Sequence, residues 1–192
     1  EETGEPPATV AEALKWLDLR TFPVLEDAKI ASQRRQIGEL HYDAPASLQE
    51  AFDFQRKSLE DLGWKLLPGG RLDGENPMAD FTQHGFLVST SVSSYSPTPG
   101  HVSVWLKNHG NVLPDRLPVP EGVETFYPMR SRASYVTTND TEQTAEAVWK
   151  LLLDLGWQPY GQAGTSRYFK QNAILLTADV SAHPAQPGKT FI

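Results

Sequence analysis

The sequence predicts an α+β protein made of two tandem β-α-β-meander repeats, each with one helix packed on an antiparallel sheet, preceded by an N-terminal helix. Three observations lead to this class. The segment SLEDLGWK at residues 58–65 is echoed 93 positions later by LLLDLGWQ. In each copy a helical apolar pattern follows a strand-like segment. Alternating strand patterns then follow each helix, which indicates a helix lying on a sheet.

The echo extends over three blocks whose offsets differ slightly. Their pairs are residues 22–26 with 117–121, residues 42–64 with 135–157, and residues 81–100 with 169–188. The offset falls from 93 to 88 between the last two blocks, which places five additional residues of the first copy within residues 68–78. That stretch is rich in Gly, Pro and Asp, so we expect it to be a loop, where insertions are tolerated.

The chain begins with an acidic, proline-containing stretch, residues 1–7, which we expect to be a flexible tether of the kind left when a targeting segment is removed. An amphipathic helix is predicted over residues 8–18, with Thr9 and Glu12 as a capping pair. Its apolar side is expected to carry Val10, Leu14 and Leu17. The helix and the segment after it make up residues 8–29, before the first repeat at residues 30–112 and the second at residues 113–192.

Each repeat is predicted to begin with a strand, at residues 36–42 and at residues 132–137. The helices that follow are predicted over residues 48–62 and 141–155. Ser47 with Glu50 forms the pattern of a capping box, and Asp140 with Gln143 occupies the same places in the second copy.

The helices are expected to end at Gly63 and Gly156, because a left-handed C-terminal cap favours a residue without a β-carbon. The buried stripes are predicted to include Leu62 and Leu155. Trp64 and Trp157 follow the two glycines and are expected to pack back over the helix ends.

Period-two alternation predicts a strand over residues 86–92 and its counterpart over residues 174–180. Tight turns at His84-Gly85 and Asn172-Ala173 are predicted to join each to a preceding short strand. A returning strand is predicted over residues 102–106. Its counterpart in the second copy is incomplete at residue 192, so we expect the chain to be a fragment of a longer protein, with further copies after it.

Composition excludes several functional classes. The chain has 24 acidic against 17 basic residues, a formal net charge of −7, and lacks the basic footprint that nucleic-acid binding requires. It contains no cysteine, which excludes disulfides and thiolate chemistry. No apolar run is long enough to span a bilayer as a helix. We expect an exported or envelope-associated protein.

Sequence motifs for catalysis are absent. Gly69-Gly70 lies in a polar loop without the Lys and hydroxyl residues of a phosphate-binding loop, and no serine sits in a nucleophile elbow. His84 and His109 have two interpretations. They could bind a metal ion together with Asp80 or Glu39, or they could be two ordinary turn residues. We favour the turns and expect no cofactor and no metal.

The aromatic residues carry the remaining functional signal. Trp105 is expected on the sheet face opposite Val104 and Leu106, where Trp105, Leu87 and Tyr95 form a candidate interaction surface if the face is uncovered. The second copy or the N-terminal helix would otherwise cover it. The element order is similar to that of helix-grip and saddle-like duplicated folds, some of which occur in envelope lipoproteins, but the similarity carries no functional residue.

Two functions follow from these observations. The first is a non-catalytic, extracytoplasmic interaction or binding module that contacts a protein partner. The second is a small-molecule or glycan pocket between the two repeats, lined by Tyr95, Trp105 or Tyr160, as part of a larger enzyme.

Overall fold

The computed structural model describes residues 7–30, 35–128, 131–172 and 174–192. Within these ranges the protein is a mixed α+β structure with three α-helices and three antiparallel sheets, which confirms the predicted class. The chain divides into two compact units, with the boundary between Val112 and Leu113. Residues 1–6 of the predicted tether and Ala173 of a predicted turn lie outside the described residues.

The first unit contains one five-stranded sheet with a helix on it. Its elements are α1 (Val10–Trp16), β1 (Glu39–Ala44), α2 (Leu48–Asp61), β2 (Lys65–Leu66), β3 (Met78–Gln83), β4 (Phe86–Ser93) and β5 (Val102–Gly110). The strand order is β1-β5-β4-β3-β2, with every neighbouring pair antiparallel. Helix α2 contacts β4 and β5, and the amide of Gln55 donates to the Tyr42 hydroxyl on β1 at 2.5 Å.

The second unit has the same kinds of element in two smaller sheets. Its elements are a 3-10 turn (Pro114–Arg116), β6 (Val123–Pro128), β7 (Ala133–Thr137), α3 (Thr141–Asp154), β8 (Gln158–Ala163), β9 (Ser166–Gln171), β10 (Ile174–Asp179), β11 (Ser181–Ala182) and β12 (Thr190–Phe191). One sheet has the order β10-β9-β8 and the other the order β11-β12-β7-β6. The division into two sheets differs from the single sheet expected for each repeat.

The N-terminal helix is shorter than predicted but begins with the predicted capping box, since Thr9 and Glu12 bond to each other's backbone amides. Val10 is 43% exposed, so it does not belong to the buried side; Ala13 and Leu17 do. Trp16 stacks on His84 with ring centroids 3.8 Å apart. This contact places the helix at the β3–β4 turn.

Helix α2 begins with the predicted reciprocal bonds between Ser47 and Glu50. In α3, Asp140 accepts from the backbone amides of Glu142 and Gln143, so one side chain caps this helix. Leu62 and Leu155 were predicted in the buried stripes but are 51% and 44% exposed. Each is the C-terminal cap residue of its helix, and there the chain turns away from the helical path.

The first strand begins at Glu39, three residues later than predicted. The Gln36 amide donates to the Glu39 carbonyl at 2.7 Å, and Arg35 bridges to Leu40. Residues 36–38 therefore form a turn. The predicted loop at residues 68–78 is confirmed as a connection between β2 and β3, closed by a bridge between Arg71 and Met78.

No helix in the described residues is both long and apolar enough to cross a membrane.

Candidate functional site

The strand β5 presents Trp105 on the side of the sheet opposite the buried residues Val104 and Leu106. Trp105 is paired with His41 on β1 and with Ser91 on β4, so its indole lies over the middle of the sheet. It is 42% exposed, whereas Val104 and Leu106 are 0% and 1% exposed. The alternation of strand side chains accounts for this difference.

The exposed indole is held in place by a buried histidine. The rings of Trp105 and His41 stack with centroids 3.5 Å apart and planes inclined by 16°, and His41 is only 4% exposed. One face of the indole therefore packs on protein while part of its surface meets solvent. An aromatic ring held in this way loses little conformational entropy when it binds a partner.

A hydrogen-bond network lies beside the stacked rings. The buried carboxylate of Asp43 accepts from the Ser103 hydroxyl at 2.5 Å and from the Ser96 hydroxyl at 3.1 Å. Ser103 also lies 3.5 Å from His41 Nε2. We call His41, Asp43, Ser96, Ser103 and Trp105 the Trp105 cluster. It connects β1, β5 and the β4–β5 connection.

The Trp105 cluster positions side chains and does not have the order of a hydrolytic triad. In a triad the histidine lies between the serine and the carboxylate, where it takes the serine proton. Here Ser103 lies between His41 and Asp43, donates directly to the carboxylate and is 3% exposed. Its hydroxyl is therefore bound to the carboxylate without a histidine between them, and it is not open to a substrate.

The three residues of the predicted interaction surface have different environments. Tyr95 is 87% exposed and is followed by Ser96, whose bond to Asp43 anchors this connection. Leu87 is 1% exposed and does not belong to an exposed surface, so that part of the prediction is corrected. It lies at the start of β4, next to the turn whose His84 stacks on Trp16.

The two histidines considered as metal ligands have other partners. His84 adopts a left-handed turn conformation with φ of 50° and stacks on Trp16. His109 Nε2 lies 2.7 Å from the Ser89 hydroxyl. Burial, with a smaller contribution from the charge of Lys107, lowers the pKa of His109 to about 3. No three His, Cys, Asp or Glu side chains of the described residues are grouped to hold a metal ion.

A cavity of about 420 Å³ lies within the second unit, and the sequence did not reveal it. It lies between the first half of α3 on one side and β9, β10 and the Gly164-Thr165 turn on the other. The lining residues on which its chemistry depends are Asp140, Glu142, Ala145, Trp149, Arg167 and Phe169. Tyr160, expected at a pocket, lies instead on β8, where it is 49% exposed and near Tyr168, with ring centroids 5.9 Å apart.

Comparison of the chain with protein-family models, with curated proteins and with solved structures finds no match. The functional interpretation therefore depends on the geometry of its own residues.

Proposed function

We propose that this chain is a non-catalytic binding module, built from two tandem copies of an α+β unit, which contacts a protein partner through Trp105 and Tyr95. One observation carries the proposal: Trp105 is held by a buried stack and hydrogen-bond network, yet 42% of it is exposed. A tryptophan that is fixed in orientation and open to solvent has the properties of the aromatic anchors that dominate many protein–protein interfaces.

The duplication is supported by equivalent backbone geometry in the two units. The helices end at Gly63 and Gly156 with φ of 89° and 84°, and His84 and Asn172 have φ of 50° and 52°. Each final helical carbonyl accepts from a glutamine side chain, and these glutamines are 88 positions apart in the chain: Gln83 Nε2 donates to Leu62 O at 3.1 Å, and Gln171 Nε2 to Leu155 O at 3.4 Å.

The protein-binding role is supported by the kind of surface around Trp105. Tryptophan and tyrosine are enriched among the residues that contribute most to protein–protein affinity, because they bury a large apolar area with few rotatable bonds. The hydroxyl of Ser103 and the carboxylate of Asp43 are occupied within the protein. The partner we expect offers an apolar side chain to the indole and, because this chain has a net charge of −7, a basic rim.

The proposal is tested with Trp105→Ala and a matched control. Leu72→Ala removes an apolar side chain of the same unit that is 36% exposed and lies in the β2–β3 connection, outside the Trp105 cluster. Immobilised wild-type protein and both variants are offered to extracts of the source cells, and captured proteins are then purified for affinity measurement. We expect Trp105→Ala to lower the affinity for a specific partner at least about tenfold. Leu72→Ala should leave that affinity unchanged.

Thermal unfolding of the three proteins shows whether Trp105→Ala remains folded. The proposal fails if every captured protein binds folded Trp105→Ala as tightly as it binds the wild type. The extracytoplasmic location stays a prediction, which fractionation of cells producing the tagged protein would test.

A second candidate is binding of a small molecule, expected from the sequence at a pocket between the two copies as part of a larger enzyme. The specific observation that favours ligand binding is the cavity inside the second unit. A panel of sugars, peptides and metal ions screened by thermal shift would test the broader form of this alternative.

A further inference from the structure

The cavity of the second unit lies where the first unit is filled by a large side chain. With the offset of 93 between the helices, Ala145 of α3 occupies the place of Phe52 of α2, and Val148 the place of Gln55. Phe52 and Gln55 are both 0% exposed, whereas Ala145 and Val148 line the cavity. A phenyl ring that is buried in the first unit thus corresponds in sequence to a methyl group that lines the cavity.

The inner wall of the cavity is apolar and well fixed. Phe169 is 0% exposed and Val180 is 7% exposed, and both line the cavity together with Ala178. The Trp149 ring meets Phe169 edge to face, with centroids 5.3 Å apart. A volume of about 420 Å³ falls in the range of pockets that bind small organic molecules.

The cavity contains one oriented cation. The Arg167 guanidinium carbon lies 5.1 Å from the centre of the Trp149 ring, a distance at which the ring attracts the cation. In the described part of the chain, Arg167 takes part in no ion pair. A guanidinium with unused donors beside an apolar wall matches a carboxylate, which accepts two parallel hydrogen bonds from it.

The two carboxylates of the lining are placed differently. Asp140 Oδ1 already accepts from the amides of Glu142 and Gln143 at the start of α3, a position where negative charge is stabilised by the helix. Glu142 is exposed to solvent. Arg167 is half-buried, so it is better placed than either carboxylate to pair with a ligand inside the cavity.

We propose that this cavity binds a small organic carboxylate with an apolar, aryl-containing body. The carboxylate pairs with Arg167, and the body lies against Ala145, Val148 and the side of the Trp149 ring that faces the cavity. This site is independent of the protein-binding surface at Trp105.

The test uses three probes of the same shape on the full chain: phenylbutyrate, its neutral amide and phenylbutylamine. Binding is followed by amide chemical-shift changes in NMR titrations. We expect phenylbutyrate to shift the resonances of the Trp149, Arg167 and Phe169 amides, and to bind at least about tenfold more tightly than the amide, because only the carboxylate pairs with the guanidinium. The amine should bind more weakly still.

Variants distinguish the contribution of the Arg167 charge to binding from the contribution of the cavity volume. Arg167→Gln should weaken the binding of phenylbutyrate about tenfold or more. Arg132→Gln should leave that binding unchanged, because Arg132 is an exposed arginine of the same unit that does not line the cavity. Ala145→Phe restores the residue of the first unit and should abolish binding of all three probes. Failure of every probe to bind, tighter binding of the amine, or equal affinity of Arg167→Gln and wild type would each overturn the proposal, even if Ala145→Phe did not fold.

Discussion

Asp43 shows how a single buried charge can organise a surface. A buried carboxylate is costly unless its oxygens accept hydrogen bonds, and Asp43 accepts from Ser103 and Ser96. Those bonds hold β5 beside β1 and anchor the connection that carries Tyr95. The stacked pair of His41 and Trp105 lies next to them. The orientation of the exposed indole therefore depends on polar residues that are themselves buried or half-buried.

The environment of His109 leads us to expect that the protein becomes less stable at acid pH. Its imidazole has a pKa of about 3 in the folded protein, against 6.5 as the ordinary value. Between these two values the unfolded chain binds a proton that the folded chain does not, so the free energy of unfolding decreases as the pH falls from 6.5 towards 3. His109→Asn should make that decrease shallower, measured by urea unfolding at a series of pH values.

Ser89→Ala is the control for this experiment. It removes the hydroxyl 2.7 Å from His109 Nε2 but leaves the half-buried imidazole, so its stability should keep most of the pH dependence of the wild type. An unchanged slope in His109→Asn would contradict the assignment of this dependence to His109.

At the scale of elements, the end of α2 depends on a glycine for two reasons. Gly63 has φ of 89°, a conformation that costs a residue with a β-carbon roughly 1–2 kcal/mol. A β-carbon there would also lie 2.7 Å from the Gln83 side-chain nitrogen, which donates to the Leu62 carbonyl. The glycine thus allows the Gln83 side chain to cap the helix.

Gly63→Ala should therefore lower the free energy of unfolding by more than the backbone cost alone. Gly74→Ala is the matched control, because Gly74 has φ of 87° with nothing within 4 Å of an added β-carbon. Chemical denaturation of both variants should show a larger loss at Gly63. Equal losses would mean that Gln83 moves without cost.

The elements also show which features could be predicted from the sequence. The starts and ends of α2 and α3 were predicted to within one residue, because Ser47, Asp140 and Gly63 act on backbone groups a few positions away. The environment of Leu87 was not predicted. Leu87 lies beside Gly110 of β5 in the sheet, so its surroundings depend on residues that are distant in the sequence.

At the scale of the whole molecule, the two units differ in how much they bury. Among the described residues, 21 buried hydrophobic residues lie in the first unit and six in the second. Strand β8 is exposed along its whole length. Few buried apolar contacts mean low resistance to local opening.

We expect the second unit to open before the first. In hydrogen exchange of the full chain, amides of β8, β9 and β10 should exchange faster than those of β4 and β5, with separate opening free energies. Similar protection in both sets, lost together on addition of denaturant, would show instead that the units unfold as one cooperative structure.

The sequence by itself determined the α+β class, the positions of α2 and α3, and the loop at residues 68–78. These features follow from local patterns and from the echo within the sequence, which need no three-dimensional information. The tertiary structure alone decided that Leu87 is buried, that Trp105 stacks on His41, and that a cavity lies beside Ala145. Each of these depends on residues far apart in the chain, since His41 and Ser103 meet across 62 positions and a cavity is defined by all of its walls together.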